Sequence, residues 1–195
     1  MEEKLLINLT ENVFVEIYPK AENMPTSAIL PNQLHNDNIV EIITGKENIY
    51  DCDGLITGNK SFVLGIKTAD CAPICFSDGE MIGIAHVGWR GLCLSLVEKM
   101  TAKFKVKKLH IFVGPFIHSF EIKKDFCFDK LQEKFGNKFF KSSNGKIMFL
   151  FKDALMSLLP KKTEFDPRDT FKDLSLSSYR RDKTSKNMVT VVRFK

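Results

Sequence analysis

Residues Thr68 to His86 read TADCAPICFSDGEMIGIAH, two apolar runs on either side of Asp78-Gly79. An Asp-Gly pair between apolar runs is a strong signal for a β-hairpin with a two-residue type I′ turn. Such a turn places Cys71 directly opposite His86, with their Cβ atoms roughly 4.5–5.5 Å apart on one face. A thiolate and an imidazole so placed can share a metal ion or act as a nucleophile and its base. Pro73 weakens this register, because it cannot donate a ladder hydrogen bond and a one-residue slip would separate the two groups.

The composition is typical of a soluble protein with reduced thiols. A chain of 195 residues with 44% hydrophobic content can bury a full core as one domain, 1–195, and its 17 Phe residues predict that this core is rich in Phe. The cysteines are odd in number, Met1-Glu2-Glu3 does not resemble the start of a signal peptide, and no apolar run is long enough to span a membrane. We therefore expect a cytoplasmic protein without disulfides and without a membrane partner.

The net charge of +5 raises the question of nucleic-acid binding. The basic residues are scattered, and the one dense run, Lys103–Lys108, follows a predicted helix, where lysines complement the helix dipole. No nucleic-acid-binding motif accompanies it. The sequence thus predicts no nucleic-acid partner.

Hydrophobic periodicity predicts strands with interspersed helices, and therefore an α/β domain on the border of α+β. The predicted elements are an N-terminal hairpin over Leu5–Leu9 and Val13–Tyr18 within a region of about 1–31; a strand Ile39–Ile43; a strand pair Gly54–Thr57 and Phe62–Lys67 around Gly58-Asn59; the Asp-Gly hairpin; a helix from Leu92 to about Phe104; a strand Leu109–Val113; helices over Phe128–Phe135 and Phe151–Leu159; and a final strand Met188–Phe194.

Two further features suggest a site near Cys71 and His86. His35 lies in a polar segment before a strand and is the third candidate ligand. The turn Gly88–Gly91 follows His86 and opens a helix, so its free N–H groups and Arg90 could bind an anion. The alternative is that its glycines only make a tight connection.

Other polar residues allow weaker hypotheses. Adjacent Arg180 and Arg181 could bind a phosphate or carboxylate, or could form surface ion pairs instead. Asp70 could assist Cys71 or orient a ligand histidine. Cys75 is best explained as a small buried hydrophobe, and His110 and His118 as surface or structural residues.

Several segments occur in the order expected of the YfiH-like family, which the chain resembles over residues 33–194. They are Gln33–His35, Asp51–Leu55, Lys67–Pro73, Ala85–Gly91, Gly114-Pro115 with Ile117 and Glu121, and Ser178–Asp182. Members of this family are described as laccase-domain or polyphenol oxidase proteins and also as purine nucleoside phosphorylases.

The resemblance implies a fold, a metal site and an activity. The fold would be an α/β sandwich with mixed sheets, similar to the catalytic domain of cytotoxic necrotizing factor. The ligands would be His35, Cys71 and His86, holding zinc, or copper in an oxidase. The reactions would be phosphorolysis of adenosine, inosine and methylthioadenosine, with deamination of adenosine, so a small nucleoside and phosphate are the expected partners.

The chain departs from the family pattern in three places. The part before Gln33 is short, Asp169 replaces a usual cysteine before Thr170, and Thr184–Met188 replaces a usual Thr-Gly-Arg-Met. The missing arginine bears on substrate or phosphate affinity, although Lys186 keeps a charge nearby.

Composition separates the possible functions. A laccase needs further copper ions held mainly by imidazoles, and four histidines cannot supply them. One thiolate and two imidazoles suit zinc with an open fourth position, which fits a purine nucleoside enzyme. A metal-free cysteine hydrolase or deamidase using Cys71 and His86 is the alternative, and a non-catalytic metal-binding or interaction protein is a third hypothesis.

Overall fold

Strands outnumber helices in the computed structural model, which describes residues 4–143, 145–183 and 186–195. The strands are β1 (Leu5–Thr10), β2 (Val13–Tyr18), β3 (Ala28–Ile29), β4 (Ile39–Glu41), β5 (Gly54–Thr57), β6 (Val63–Thr68), β7 (Ala72–Ser77), β8 (Ile82–Val87), β9 (His110–Val113), β10 (Phe120–Ile122), β11 (Phe140–Ser143), β12 (Lys146–Phe149), β13 (Glu164–Phe165) and β14 (Met188–Phe194). The helices are α1 (Trp89–Cys93), α2 (Leu96–Thr101), α3 (Phe126–Phe135), α4 (Phe151–Leu158) and α5 (Tyr179–Asp182).

The described strands form two large sheets and one small one. The first has five strands in the order β1-β2-β14-β6-β3, the second has six in the order β13-β9-β7-β8-β5-β4, and the small sheet is β10-β12-β11. Both large sheets are mainly antiparallel, with a parallel pair at one edge of the first (β6-β3) and at both edges of the second (β13-β9 and β5-β4). The predicted mixed α/β architecture is therefore confirmed.

Two of the three buried apolar clusters lie on the two faces of the six-stranded sheet, and the third is a small group in the five-stranded sheet that includes Val189 and Val191. Between the large sheets, Ile17 and Ile66 of the first pack with Leu55 and Ile84 of the second. Burial of each such side chain contributes about 1.5–3 kcal/mol. On the other face, helices α1 to α4 cover the sheet together with a group of buried phenylalanines that includes Phe76, Phe116, Phe149 and Phe151. The prediction of a Phe-rich core is correct.

The elements with the strongest sequence signals are confirmed. The N-terminal hairpin forms, and the final strand lies between β2 and β6 in the five-stranded sheet. Helix α3 begins where the Asp125 carboxylate accepts the N–H groups of Cys127 and Phe128, and it ends at Gly136 with φ of 60°.

The predicted pairing of Gly54–Thr57 with Phe62–Lys67 is wrong, because β5 and β6 belong to different sheets. The Asn59 side chain accepts the N–H of Ser61 at 3.0 Å and organises a turn that carries the chain from one sheet to the other. Both strands bury apolar residues in the same inter-sheet core, so their alternation alone did not distinguish the two sheets.

The single helix predicted from Leu92 to Phe104 is interrupted. Ser95 has φ of 63° and separates α1 from α2, while its hydroxyl accepts a hydrogen bond from Lys134 of α3 at 2.8 Å. Leu92 and Leu96 are both fully buried. Tertiary packing overrides the periodic pattern here.

Within the described residues, no helix is both long and apolar enough to cross a membrane.

Candidate metal centre

The hairpin that carries His86 has a different register from the predicted one. Pro73 pairs with His86 and Ser77 with Ile82, so the connection is a four-residue loop, 78–81, and Cys71 lies just outside the strand. Only Gly79 of this loop has positive φ, whereas a type I′ turn needs two such residues. The Asp78 carboxylate stabilises the longer loop by accepting the N–H groups of Glu80 and Met81 at 3.0 and 2.9 Å.

Cys71 nevertheless reaches His86 because the backbone before β7 is anchored. Asp70 has φ of 91°, a conformation rarely adopted by residues other than glycine. Its buried carboxylate accepts hydrogen bonds from the Thr170 hydroxyl at 2.8 Å and from the backbone N–H of Arg180 at 2.7 Å. These contacts fix the backbone from which the Cys71 side chain projects.

His35, Cys71 and His86 come together as expected from the sequence. Their candidate ligand atoms all lie within 4.8 Å of one another, and no other such group of His, Cys, Asp or Glu occurs in the described part of the chain. The two imidazole rings meet edge to face, with centroids 4.7 Å apart. His86 is buried, Cys71 is half-buried and His35 is exposed, so the group opens to solvent on one side.

The His86 ring is oriented by Asp53, a residue that the sequence analysis did not single out. Nδ1 of His86 lies 2.6 Å from Oδ1 of Asp53, and both side chains are buried. This contact directs Nε2 toward Cys71 and His35. The hypothesis that Asp70 orients a ligand histidine is therefore wrong, since the Asp70 carboxylate is engaged by Thr170 and Arg180.

The loop that carries His35 is held at several points. His35 itself has φ of 61°. The N–H groups of Leu34 and Asn36 donate to Oδ2 of Asp53 at 3.2 and 2.8 Å. The Gln33 side-chain amide donates to the Lys67 carbonyl at 2.7 Å and accepts the Lys67 N–H at 2.8 Å, which ties the loop to β6.

Charge interactions favour an ionised thiol in this group. Burial raises the pKa of the Cys71 thiol, but the charge of His86 and hydrogen bonds from His35 and His86 outweigh burial and hold the pKa below its ordinary value of 9.0. Burial lowers the pKa of His86, while the Cys71 thiolate and the Asp53 carboxylate together raise it above its ordinary value of 6.5. Cys71 is thus held as a thiolate, which is the form that binds metals and attacks electrophiles.

The donor set suits a metal ion. One thiolate and two imidazoles leave one position open in tetrahedral zinc coordination, as catalytic zinc sites require. The carboxylate contact of His86 is also typical of histidines that bind zinc. The residues present therefore fit the metal that the sequence predicts.

Gly88 leaves the space that the Cys71 side chain occupies. A Cβ atom at Gly88 would lie 2.9 Å from Sγ of Cys71 and 3.6 Å from Cδ2 of His35. The φ angle of Gly88 is −99°, so the requirement is for space and not for backbone freedom.

Gly88→Ala is expected to displace the thiolate and weaken zinc binding by up to about tenfold, or about 1.4 kcal/mol. The measurement is the zinc Kd of the purified protein by competition with a chelating dye. Gly91→Ala is the matched control, because its Cβ would meet no atom closer than 3.5 Å. Equal zinc affinities for both variants would contradict this role of Gly88.

A cavity of about 880 Å³ opens beside the three side chains. It is lined by His35, Cys71, His86, Asp70, Lys67, Thr68, Arg90, Arg180, Lys183 and Asn187, together with Trp89, Ile117, Phe120, Phe151 and Tyr179. Basic and aromatic side chains thus surround the cluster.

The structure distinguishes the three candidate arginines. Arg90 lines the cavity, and its guanidinium lies over the Trp89 ring, 4.8 Å from the centroid. Arg180 also lines the cavity, but it stacks on Phe120 at 4.0 Å and donates to the Glu121 carbonyl at 3.2 Å. Helix α1 has only five residues, so its dipole is small and the Arg90 side chain is the stronger candidate for binding an anion at that turn.

The hypothesis that Arg181 binds substrate is not supported, because Arg181 does not line this cavity and its guanidinium donates to other groups. It donates to the carbonyls of Thr170 and Leu176 at 2.6 and 2.7 Å, and it also pairs with the Asp182 carboxylate. Arg181 therefore stabilises the loop before α5 through these hydrogen bonds.

The remaining polar candidates lie outside the site. His110 is exposed at the start of β9, and His118 lies 3.8 Å from Asp169. Cys75 is fully buried in β7, and burial raises the pKa of its thiol. Among the residues that depart from the family pattern, Asn187 lines the cavity, while Thr184 and Ser185 lie outside the described residues.

Comparison with known proteins identifies consistent relatives. The family model described as "Multi-copper polyphenol oxidoreductase laccase" matches residues 14–195. The chain is 32% identical over 173 residues to a purine nucleoside phosphorylase of Aquifex aeolicus. The aligned region covers 84% of this chain and 81% of the relative. The chain is 30% identical over 145 residues to a purine nucleoside phosphorylase of Rickettsia conorii, covering 69% of this chain and 59% of the relative.

Solved structures show the same fold. A Neisseria meningitidis protein of the DUF152 family superposes with a TM-score of 0.86 at 20% identity and full coverage of both chains. The hypothetical protein YfiH of Bacillus licheniformis superposes with a TM-score of 0.76 at 23% identity, covering 87% of this chain and 74% of the other.

Proposed function

Because the chain belongs to the YfiH-like laccase-domain family, we propose that it is a metal-dependent purine nucleoside phosphorylase. The family membership confirms the resemblance predicted from the sequence motifs. The proposed substrates are adenosine, inosine and methylthioadenosine, each converted to a free purine and a ribose-1-phosphate product. Deamination of adenosine to inosine and ammonia is proposed at the same site.

The observation that carries this proposal is the combination of groups in one cavity. Its volume of about 880 Å³ lies in the range for small-molecule sites, roughly 300–1,000 Å³. Trp89 and Tyr179 line the cavity, are at least partly exposed and offer aromatic surface to a purine ring. Arg90 and Arg180 offer positive charge to phosphate, and the His35–Cys71–His86 cluster lies at the same cavity.

Phosphorolysis assigns clear tasks to the basic residues. A phosphate oxygen forms a bond to C1′ of the sugar while the bond from C1′ to the purine nitrogen breaks, and the departing purine takes up a proton. The arginines would bind the phosphate beside the sugar and limit its motion before attack. The aromatic side chains would hold the purine and exclude water from it.

The metal would be held by His35, Cys71 and His86. Zinc is the proposed ion and copper the alternative, since both accept thiolate and imidazole ligands. A bound zinc ion would supply Lewis acidity to the substrate or water in the cavity. The chain's own contribution is to hold Cys71 ionised and the two rings in fixed orientations.

Product analysis tests this function directly. With purified protein and adenosine or inosine, ribose-1-phosphate is expected only when phosphate is present, since phosphate is a reactant. The products are identified by chromatography and mass spectrometry, and a Cys71→Ala preparation controls for contaminating phosphorylases. Turnover that is independent of phosphate and yields only inosine and ammonia would identify a deaminase instead.

One observation favours a cysteine hydrolase or deamidase as the second candidate. Cys71, His86 and Asp53 are arranged like a nucleophile, a base and the carboxylate that orients the base. This alternative leaves His35 without a role. It predicts activity that survives metal removal, together with rapid labelling of Cys71 by iodoacetamide and no nucleoside turnover.

A copper-dependent polyphenol oxidase has less support from the site. His110 and His118 do not join the cluster, which leaves two histidines there. The further copper ions of a laccase would need more imidazole ligands than that.

A further inference from the structure

Asp53 contacts the segments of two candidate ligands from a fully buried position. Oδ1 lies 2.6 Å from Nδ1 of His86, and Oδ2 accepts the N–H groups of Leu34 and Asn36, on either side of His35. We propose that Asp53 is the positioning residue of the metal centre. Its single carboxylate sets the tautomer of His86 and holds the backbone turn that presents His35. This inference rests on the metal dependence in the proposed function.

The contact with His86 follows from strand register. Gly54 pairs with Ala85 across β5 and β8, and the His86 N–H donates to the Asp53 carbonyl at 2.8 Å, so the two residues face each other. An ionised carboxylate only accepts hydrogen bonds, so Nδ1 of His86 carries the proton. When His86 gives up a proton to bind a metal, that proton leaves Nε2, whose lone pair then lies on the side of Cys71, as a metal ligand requires.

The contact with the His35 loop acts on the backbone. His35 has φ of 61°, a conformation that few residues other than glycine adopt, and two N–H groups converge on one carboxylate oxygen around it. Hydrogen bonds to a charged acceptor are stronger than neutral ones. The Asp53 N–H also donates to the Asn38 carbonyl at 3.1 Å, which ties both ends of the turn to the same residue.

Because the two oxygens serve different ligands, one carboxylate couples their positions. An ordinary buried carboxylate would need only to have its hydrogen bonds satisfied. The third member of a Cys–His–Asp triad would need only the contact with His86. Neither role requires Oδ2 to hold the turn at His35.

Asp53→Asn keeps the shape of the side chain but removes its negative charge and changes the His86 tautomer that it favours. The asparagine oxygen can still accept the N–H groups of Leu34 and Asn36, but its NH₂ group would donate toward Nδ1 of His86. The proton of His86 would then move to Nε2 and block metal binding. The zinc Kd is expected to weaken ten- to a hundredfold, which is typical for the loss of a residue that orients a ligand. The melting temperature of the metal-free protein is expected to change little.

The zinc Kd is measured on the purified full chain by competition with a chelating dye, without any nucleoside. Asp37→Asn is the matched control, because Asp37 lies on the same loop but pairs with Lys99 at the surface. Its zinc Kd is expected to equal that of the wild type.

A second measurement needs no variant. In the zinc-loaded wild type, nitrogen-15 NMR is expected to show His86 protonated at Nδ1 and bound through Nε2. An Asp53→Asn zinc Kd within about threefold of wild type would overturn the inference, as would an Nε2–H tautomer of His86 or a wild type that binds no zinc. A chain that binds zinc as expected but leaves nucleosides intact would refute the proposed function and leave this inference standing.

Discussion

Cys71→Ala is expected to remove zinc binding and to lower nucleoside phosphorolysis by at least about a hundredfold. The reason is that loss of a residue that merely orients a metal ligand already costs ten- to a hundredfold, and Cys71 is a proposed ligand itself. Its thiolate is also the donor that the neighbouring histidines hold in ionised form. Elemental analysis of the purified protein and kcat/KM for inosine are the measurements.

The fold is expected to survive this substitution. Cys71 precedes β7 and is half-buried, and the apolar clusters of the described residues do not include it. Cys75→Ala is the matched control, because Cys75 is fully buried in β7, the strand that follows Cys71, and faces the inter-sheet core. It is expected to lower the melting temperature and to keep its zinc. Equal zinc contents in Cys71→Ala and the wild type would contradict the proposed ligand set.

Metal removal separates the two candidate chemistries that both need Cys71. A zinc enzyme should lose activity with a chelator and regain it when zinc is added back. A Cys71–His86 hydrolase should keep its activity and become more open to alkylation. The Cys71→Ala variant is inactive in either case, so the chelator experiment is the one that discriminates.

The proximity of Cys71 and His86 was predictable from the sequence, but the predicted strand register was wrong. Their proximity followed from an Asp-Gly signal, but the loop has four residues and Pro73 is the partner of His86. Cys71 reaches the site through the φ of 91° at Asp70, which long-range contacts to Thr170 and Arg180 hold in place. A pattern within one hairpin carries no information about these distant partners.

Asp53 illustrates a second limit of sequence reasoning. It lies in Asp51–Leu55, a segment that carried the family resemblance, yet its role depends on two pairings outside that segment. One is the register of β5 with β8, and the other is the turn at His35. The predicted hairpin of Gly54–Thr57 with Phe62–Lys67 placed β5 beside β6, in a different sheet from β8. The correct sheet assignment would have placed Asp53 opposite His86.

The adjacent arginines show why the chemistry of a side chain does not by itself identify which residue binds the substrate. Arg180 and Arg181 have the same side chain, but only Arg180 lines the cavity. Arg181 uses its donors on carbonyls of the preceding loop. Both arginines lie in α5, a four-residue helix that the sequence pattern did not indicate.

Arg90→Ala is expected to raise the KM for phosphate ten- to over a hundredfold with a smaller effect on the KM for the nucleoside. Loss of a hydrogen bond between charged groups costs about 1.5–3 kcal/mol, and about 1.4 kcal/mol corresponds to tenfold. Arg90 is the strongest choice because, within the described residues, its guanidinium contacts the Trp89 ring and donates to no protein acceptor. All its donors are therefore available to an anion in the cavity, whereas Arg180 already donates to the Glu121 carbonyl.

Two variants make the phosphate result specific. Arg90→Lys keeps the charge but loses the planar pair of donors, so its KM for phosphate is expected to lie between those of the wild type and Arg90→Ala. Lys107→Ala removes a cation that does not line the cavity and is expected to leave the KM unchanged. If Arg90→Ala changes only the nucleoside KM, Arg90 contacts the nucleoside and Arg180 becomes the candidate for phosphate. If neither arginine affects the phosphate KM, the anion binds elsewhere in the cavity, and Lys67 and Lys183 are the cations left to test.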